Sequence, residues 1–153
     1  MGHTQTEIDS RTAKDVISAA MRAPSGHNTQ PWKFTLSGDT ITVSADLNRA
    51  LPVADPDRRE LFISVGCALE NLLIAAEHHG FGHTVEYGAE AINESPLVTV
   101  SLTAEGVRSP FRPDTLYDAI ADRHTNHRLF NERPIPEADV ESLEGMVVED
   151  GIT

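Results

Sequence analysis

Two short loops hold most of the side chains that could do chemistry. The first, residues 25–32, gathers Ser25, His27, Asn28, Thr29, Gln30 and Trp32. The amides of Asn28 and Gln30 each offer a donor and an acceptor, which suits a heteroaromatic ring edge with alternating N–H and C=O groups. The alternative is that Asn28 and Gln30 satisfy their own turn backbone, as Asx residues do. The second loop, Arg123-His124-Thr125-Asn126-His127-Arg128, sets two guanidiniums and a hydroxyl just past a helix. Such a set can grip a phosphate through bidentate, charge-assisted bonds. The alternative is ion pairing with Asp118, Asp122 or Glu132.

Other chemistries are poorly supplied. The sequence has no G-x-G-x-x-G, no G-x-x-x-x-G-K-[ST], no H-E-x-x-H and no G-x-S-x-G, so the phosphate loops, zinc-protease helix and hydrolase elbow built on those patterns are missing. His78, His79 and His83 cluster at an expected helix end, where the dipole and terminal carbonyls favour histidine, and no metal is assigned to them. The single cysteine, Cys67, excludes an internal disulfide and reads as a small core residue.

These loops must be placed by the elements around them. Val16, Ile17, Ala20 and Met21 recur at helical spacing, so a helix is expected from Ser10 to Ala23, with Thr12 and Asp15 as a capping pair and Pro24 closing it. Residues 24–31 contain two prolines and no periodicity and form a loop. Alternation in Trp32, Phe34, Leu36 and in Ile41, Val43, Ala45 around Ser37-Gly38-Asp39 predicts a hairpin. Asp55-Pro56 opens a long helix running to about His79, with Asp55 as N-cap and Gly80 beyond the end. Leu61, Val65, Ala68, Leu69, Leu72, Leu73 and Ala76 cover most of its sides, so this helix is central to a core or shared with a partner.

Strands are expected at Thr84–Tyr87 and Leu97–Leu102. A connector follows over Val107–Asp114, then a short helix over Thr115–Arg123 with Leu116, Ala119 and Ile120 inward. After an irregular stretch, His124–Pro136, comes a last helix over Glu137–Val148 through Val140, Leu143 and Val147. Without a regular βαβ rhythm the chain is expected to be α+β.

With 153 residues, Asp+Glu 24 and Lys+Arg 12, the formal charge is -12. That field repels phosphate backbones and anionic lipid, which argues against nucleic-acid and membrane-surface partners. The stretch Leu61–Ala76 is interrupted by Ser64, Gly66, Glu70 and Asn71 and is expected to fall short of a membrane span. No secretory signal is visible in the polar first ten residues, so a soluble, cytoplasmic protein is expected.

Taken together, these segments resemble the flavin-dependent nitroreductase family, in particular its Acg-like branch, where two nitroreductase-type repeats are fused in one chain. Ala23-Pro24-Ser25-Gly26-His27-Asn28-Thr29-Gln30-Pro31-Trp32 matches an A-P-S-x-x-N-x-Q-P-W signature. Asp55-Pro56-Asp57-Arg58-Arg59-Glu60 with Gly66–Leu72 resembles the branch's D-P-x-x-R-E segment and interface helix. Arg123–Phe130 and Arg133–Pro136 resemble its R-H-T-N-R-R-P-F and R-P-V-P motifs.

The resemblance implies a nitroreductase-like fold: a mixed or antiparallel sheet flanked by helices, with a long central interface helix. It implies residues 1–114 as a first repeat and 115–153 as the start of a second. It also implies FMN as cofactor and NAD(P)H as reductant, with hydride transfer to nitroaromatic or quinone-like acceptors. The flavin carries the chemistry, so no side chain is assigned as catalytic. Cofactor-binding roles fall on Ser25, His27, Asn28, Gln30 and Trp32 in the first loop and on Arg123, Thr125 and Arg128 in the second.

Three departures from the family pattern stand beside this. The R-x-S-x-R phosphate clamp that commonly precedes the first helix is missing at Arg11-Thr12-Ala13. His127 stands where the pattern has arginine, and a histidine of ordinary pKa is mostly neutral near pH 7. The clamp resembles the opening of a second repeat whose remaining scaffold is not in this sequence, so the chain is expected to work as a homodimer or with a missing half. The alternatives to an oxidoreductase are a non-catalytic flavin-binding protein and a cofactor-free fragment of a fused pseudo-dimer.

Overall fold

Asp9 starts the first helix. Its carboxylate accepts from the Arg11 and Thr12 amides and from the Thr12 hydroxyl, satisfying donors that a helix N-terminus otherwise leaves unpaired. The expected Thr12–Asp15 pair is therefore not the cap; Thr12 serves the cap from inside the first turn. In the computed structural model, which describes residues 8–88, 97–104, 106 and 109–145, this helix is α1 (Ser10–Ala20). It buries Ala13, Val16, Ala19 and Ala20.

Four strands follow the alternation in the sequence: β1 (Trp32–Ser37), β2 (Thr40–Ala45), β3 (Gly82–Tyr87) and β4 (Val98–Thr103). They form one sheet in the order β1-β2-β4-β3 with every neighbouring pair antiparallel. Ser37 pairs with Thr40, leaving a two-residue turn in which Gly38 takes a φ of 58°, a value that favours glycine. Ile41, Val43, Val98, Val100 and Leu102 turn to the buried face.

The long helix α2 (Arg59–His78) covers that face. It begins three residues later than the sequence pattern suggests, because Asp55 caps it from a distance. Buried Asp55 accepts from the Glu60 and Leu61 amides, while Arg58 bridges the gap in the left-handed region at φ 58°. Leu61, Val65, Ala68, Leu69, Leu72 and Leu73 are buried, and Asn71 ties α2 to α1 through a 3.2 Å bond to the Ala19 carbonyl. By length and a mean hydropathy of 1.3, α2 would suffice to cross a bilayer, contrary to expectation. Its apolar sides are instead covered by the sheet and α1, as befits a core helix.

Two shorter helices complete the described chain. In α3 (Asp114–Asp122) only Ile120 is buried, although Leu116 and Ala119 were also expected inward. Leu116 is half-buried and Ala119 exposed. The helix leans on α2 through Tyr117, whose ring stacks on His78 at 3.8 Å. Helix α4 (Glu137–Glu144) buries nothing, and the Val140 and Leu143 side chains that mark it in the sequence are exposed. Val147 and Val107, also assigned from sequence, lie outside the described residues.

Candidate functional site

Residues 23–32 leave α1 and enter β1 through a turn that the chain holds in an unusual shape. His27, Asn28 and Gln30 all have positive φ, at 49°, 55° and 51°. Non-glycine residues rarely take such values, and sites that hold them cluster at ligand clamps. Backbone needs inside the turn are met by its smaller side chains. Ser25 Oγ accepts from the Gln30 amide at 2.9 Å and Thr29 Oγ1 donates to the Gly26 carbonyl at 3.0 Å. The Asn28 and Thr29 amides donate to the Ser25 and Gly26 carbonyls.

The turn does not draw on the amides of Asn28 and Gln30 for its own bracing. Among the described residues, no side-chain hydrogen bond is made by Asn28 or Gln30. Serine and threonine brace the turn, and the Asn28 amide is left exposed.

The 123–128 segment begins where α3 ends. Arg123 reaches back across the chain, donating to the Arg22 carbonyl at 3.3 Å and to Thr125 Oγ1 at 3.4 Å. None of the ion pairs among the described residues involves Arg123 or Arg128, so the expected alternative of acid pairing is not what holds this loop. Cys67, half-buried on α2, lies close enough to feel the Arg123 charge. Burial pushes its thiol up, and the guanidinium partly opposes that shift.

The two loops meet. Pro24, Ser25, His27 and Asn28 line one cleft together with Arg123, His124, Thr125 and His127, enclosing about 510 Å³. That volume falls in the range of about 300–1,000 Å³ common for small-molecule sites. Of the eight residues assigned from sequence, Ser25, His27, Asn28, Arg123 and Thr125 are brought together. Gln30 is half-buried behind the turn, and Trp32 is a core residue at the start of β1, its amide bonded to the Gln30 carbonyl. Arg128 lies on the exposed stretch beyond the cleft. His124, given no cofactor role above, lines the cleft beside His127; its sequence signal is the histidine of the R-H-T-N-R-R-P-F pattern.

The histidines near the end of α2 serve packing. His78 pairs with Asp114 at 3.0 Å, and burial together with the neighbouring His78 lowers the pKa of His79. His83 bonds to Glu77 at 2.9 Å. Among the described residues no group of three or more His, Cys, Asp or Glu side chains is placed to hold a metal.

Comparison with known proteins points one way. No family model matches the chain. The Mycobacterium tuberculosis protein named "Putative NAD(P)H nitroreductase Rv3131" is 29% identical over 148 residues, covering 94% of this chain and 41% of the relative. "Putative NAD(P)H nitroreductase acg" of the same species is 28% identical over 130 residues, 84% of this chain and 39% of the relative. The chain thus spans about two fifths of the length of the curated relatives it matches.

Among solved structures, a "Putative NADH dehydrogenase/NAD(P)H nitroreductase" from Bacteroides thetaiotaomicron superposes with a TM-score of 0.55 at 18% identity, covering 82% of this chain and 90% of that one. A "putative nitroreductase in complex with FMN" from Exiguobacterium sibiricum gives 0.52 at 16% identity, covering 70% and 86%.

Proposed function

The chain is a relative of the Acg-like nitroreductases in sequence and has the nitroreductase fold, and on that premise we propose that it is an FMN-dependent NAD(P)H oxidoreductase acting on nitroaromatic or quinone-like acceptors. The observation that carries this reading is the cleft shared by the Ser25–Asn28 turn and the Arg123–His127 segment. Its donor set suits FMN. Arg123 supplies a cationic donor, Thr125 a hydroxyl and His124 and His127 ring N–H groups for a phosphate, and Asn28 holds an exposed amide for a ring edge.

In this reading Asn28 and His27 orient the ring, Ser25 shapes the wall beneath it, and Arg123 with Thr125 holds the phosphate end. Gln30 and Trp32 act on the loop rather than on the ligand, and Arg128 serves a phosphate only if its exposed segment closes over the cleft. When bound, FMN supplies the atom that accepts and donates hydride, so the chain has no need of a nucleophile or general base. Residues 1–114 then form one nitroreductase-like repeat and 115–153 begin a second, in the cytoplasm where the reductant is available.

The site is completed by a second copy of the chain. Every described residue from 121 to 145 is exposed, including Leu129 at 99% and Phe130 at 85%. A groove of about 450 Å³ runs along α2 over Phe62 and the buried Val65, Leu69 and Leu73, with Glu70 and Arg112 also lining it. An exposed arm carrying Leu129 and Phe130 and a partly apolar groove on one chain favour reciprocal docking.

A second reading, flavin binding without turnover, is favoured by one observation: His127, not arginine, lines the cleft. Titration with FMN, followed by light-scattering mass and by NAD(P)H oxidation with nitrofurazone or menadione, tests both. Near-stoichiometric flavin with acceptor-dependent turnover supports the oxidoreductase. Tight flavin without reduction supports the second reading, and a species that ignores FMN overturns both.

A further inference from the structure

The cleft-lining turn is strained, yet nothing within it fixes it to the rest of the fold. Two side chains outside the cleft do. Ser64, buried on α2 at 4% exposure, donates its hydroxyl to the Glu60 carbonyl at 2.6 Å and accepts the Gly26 amide at 3.2 Å. Because the helix carbonyl takes the only proton, the free lone pairs of Oγ are the ones facing the turn. From the other side, the Arg49 guanidinium donates to the Thr29 carbonyl at 3.0 Å, and Asp46 steadies Arg49 at 3.6 Å.

A Cβ at Gly26 would stand 2.8 Å from the carboxylate end of the exposed Glu60 side chain, which would have to swing aside. The turn is therefore seated against α2 at Gly26 and against the 47–49 helical turn at Thr29. The three left-handed residues lie across and just beyond these two fixed points. Positive-φ residues persist only where the surroundings over-determine them, and Ser64 with Arg49 provides that determination here.

We propose that Ser64 and Arg49 are positioning residues that hold the 25–30 turn in its strained shape and so pre-form the ring-facing wall of the cleft. The proposal rests on the FMN reading for its consequence, but the hold itself is a property of the free protein. Neither residue lines the cleft, so any effect of changing it reaches a ligand only through the turn. Pre-forming a binding loop lowers the ordering cost that a ligand otherwise meets.

Two measurements on the full chain test this. Hydrogen exchange of the free protein reads the Asn28, Thr29 and Gln30 amides in wild type, Ser64→Ala, Arg49→Ala and the double variant. Flavin fluorescence reads FMN affinity in the same four. The expected result is faster exchange at those three amides with the α2 and sheet amides unchanged, and FMN affinity about fivefold or more weaker in each single variant. The double variant should lose less than the product of the two, since both act on one turn.

Ser64→Thr keeps the hydroxyl and should restore the protection, and Arg49, being exposed, can be removed without disturbing the core. Exchange that rises uniformly through α2 and the sheet, or wild-type FMN affinity in Arg49→Ala, would overturn the proposal. Wild type that binds no FMN defeats the cofactor reading alone. The exchange pattern then still decides whether Ser64 and Arg49 hold the turn.

Discussion

In the FMN reading Asn28 is the residue on which the site turns, because its side chain is exposed, its backbone is left-handed and its amide is spared from bracing its own loop. Asn28→Ala should weaken FMN binding by about 1–3 kcal/mol, the cost of leaving a buried ligand edge unpaired. Equilibrium titration by flavin fluorescence measures it, and an unchanged affinity would remove Asn28 from the ligand's path. At the other end, His127→Arg gives the cleft a permanent charge and should tighten FMN about three- to tenfold. The same substitution should leave riboflavin, which lacks the phosphate, unaffected, and a gain for both ligands would mean that the residue faces the ring. The residues of this site were legible in the sequence to different depths. Asn28 and Arg123 stand in short local patterns that single them out, and the fold brings them to one cleft. The bracing roles of Ser25 and Thr29 emerged only with the hydrogen bonds of the folded turn, since a string of letters does not say which of five polar side chains satisfies it.

Among the elements, the strands and α2 were readable because their patterns are local: alternation for β1, β2 and β4, and an apolar run closed by Gly80 for α2. The start of α2 was misplaced because Asp55 caps it from five and six residues away. A tie no local pattern discloses joins the end of α2 to the rest of the fold. Glu77, 2% exposed, accepts from His83 at 2.9 Å, from the Ser109 amide at 2.8 Å and from Arg112 at 2.9 Å. Burial alone would push this carboxyl up, but those three hydrogen bonds outweigh it and hold the group below its ordinary value of 4.5. A carboxylate depressed in the folded state adds stability that is full above that ordinary value, declines below it and vanishes once the folded carboxyl protonates. Glu77→Gln should therefore cost about 1–3 kcal/mol at neutral pH, with Arg112 still paired to Glu70. Urea unfolding at stepped pH is the check: the gap between wild type and variant should narrow on acidification below about pH 4.5. A gap that stays constant down to pH 3 would mean that the charge on Glu77 is not what ties these elements.

At the scale of the molecule, the decisive feature is an imbalance between its two ends. Residues 8–88 and 97–104 wrap one continuous core, whereas residues 121–145 bury nothing. Leu129, Phe130, Ile135 and Leu143 are at least 62% exposed, and an arm of that composition is stable in water only if something covers it. Charge favours a second copy as the cover. The stretch 123–133 carries Arg123, Arg128 and Arg133 against Glu132, in a chain whose net charge is -12, so the arm is attracted to the acidic body that every copy presents. If the arm docks on a partner, light scattering at micromolar concentration should report twice the chain mass. Replacing Leu129 and Phe130 together with glutamate should return the protein to a monomer with an unchanged circular dichroism spectrum, because neither side chain contributes to the core. Burying those two side chains is worth about 3–6 kcal/mol per arm, enough to decide the association. The flavin readout separates two forms of the model. If the monomeric variant still binds FMN with wild-type affinity, the cleft of one chain suffices and dimerisation serves another purpose. If affinity falls with mass, the partner's arm closes the cleft, and Arg128 is the cation it would bring there. A wild-type protein that runs as a monomer with its arm exposed would defeat the docking argument at its first step.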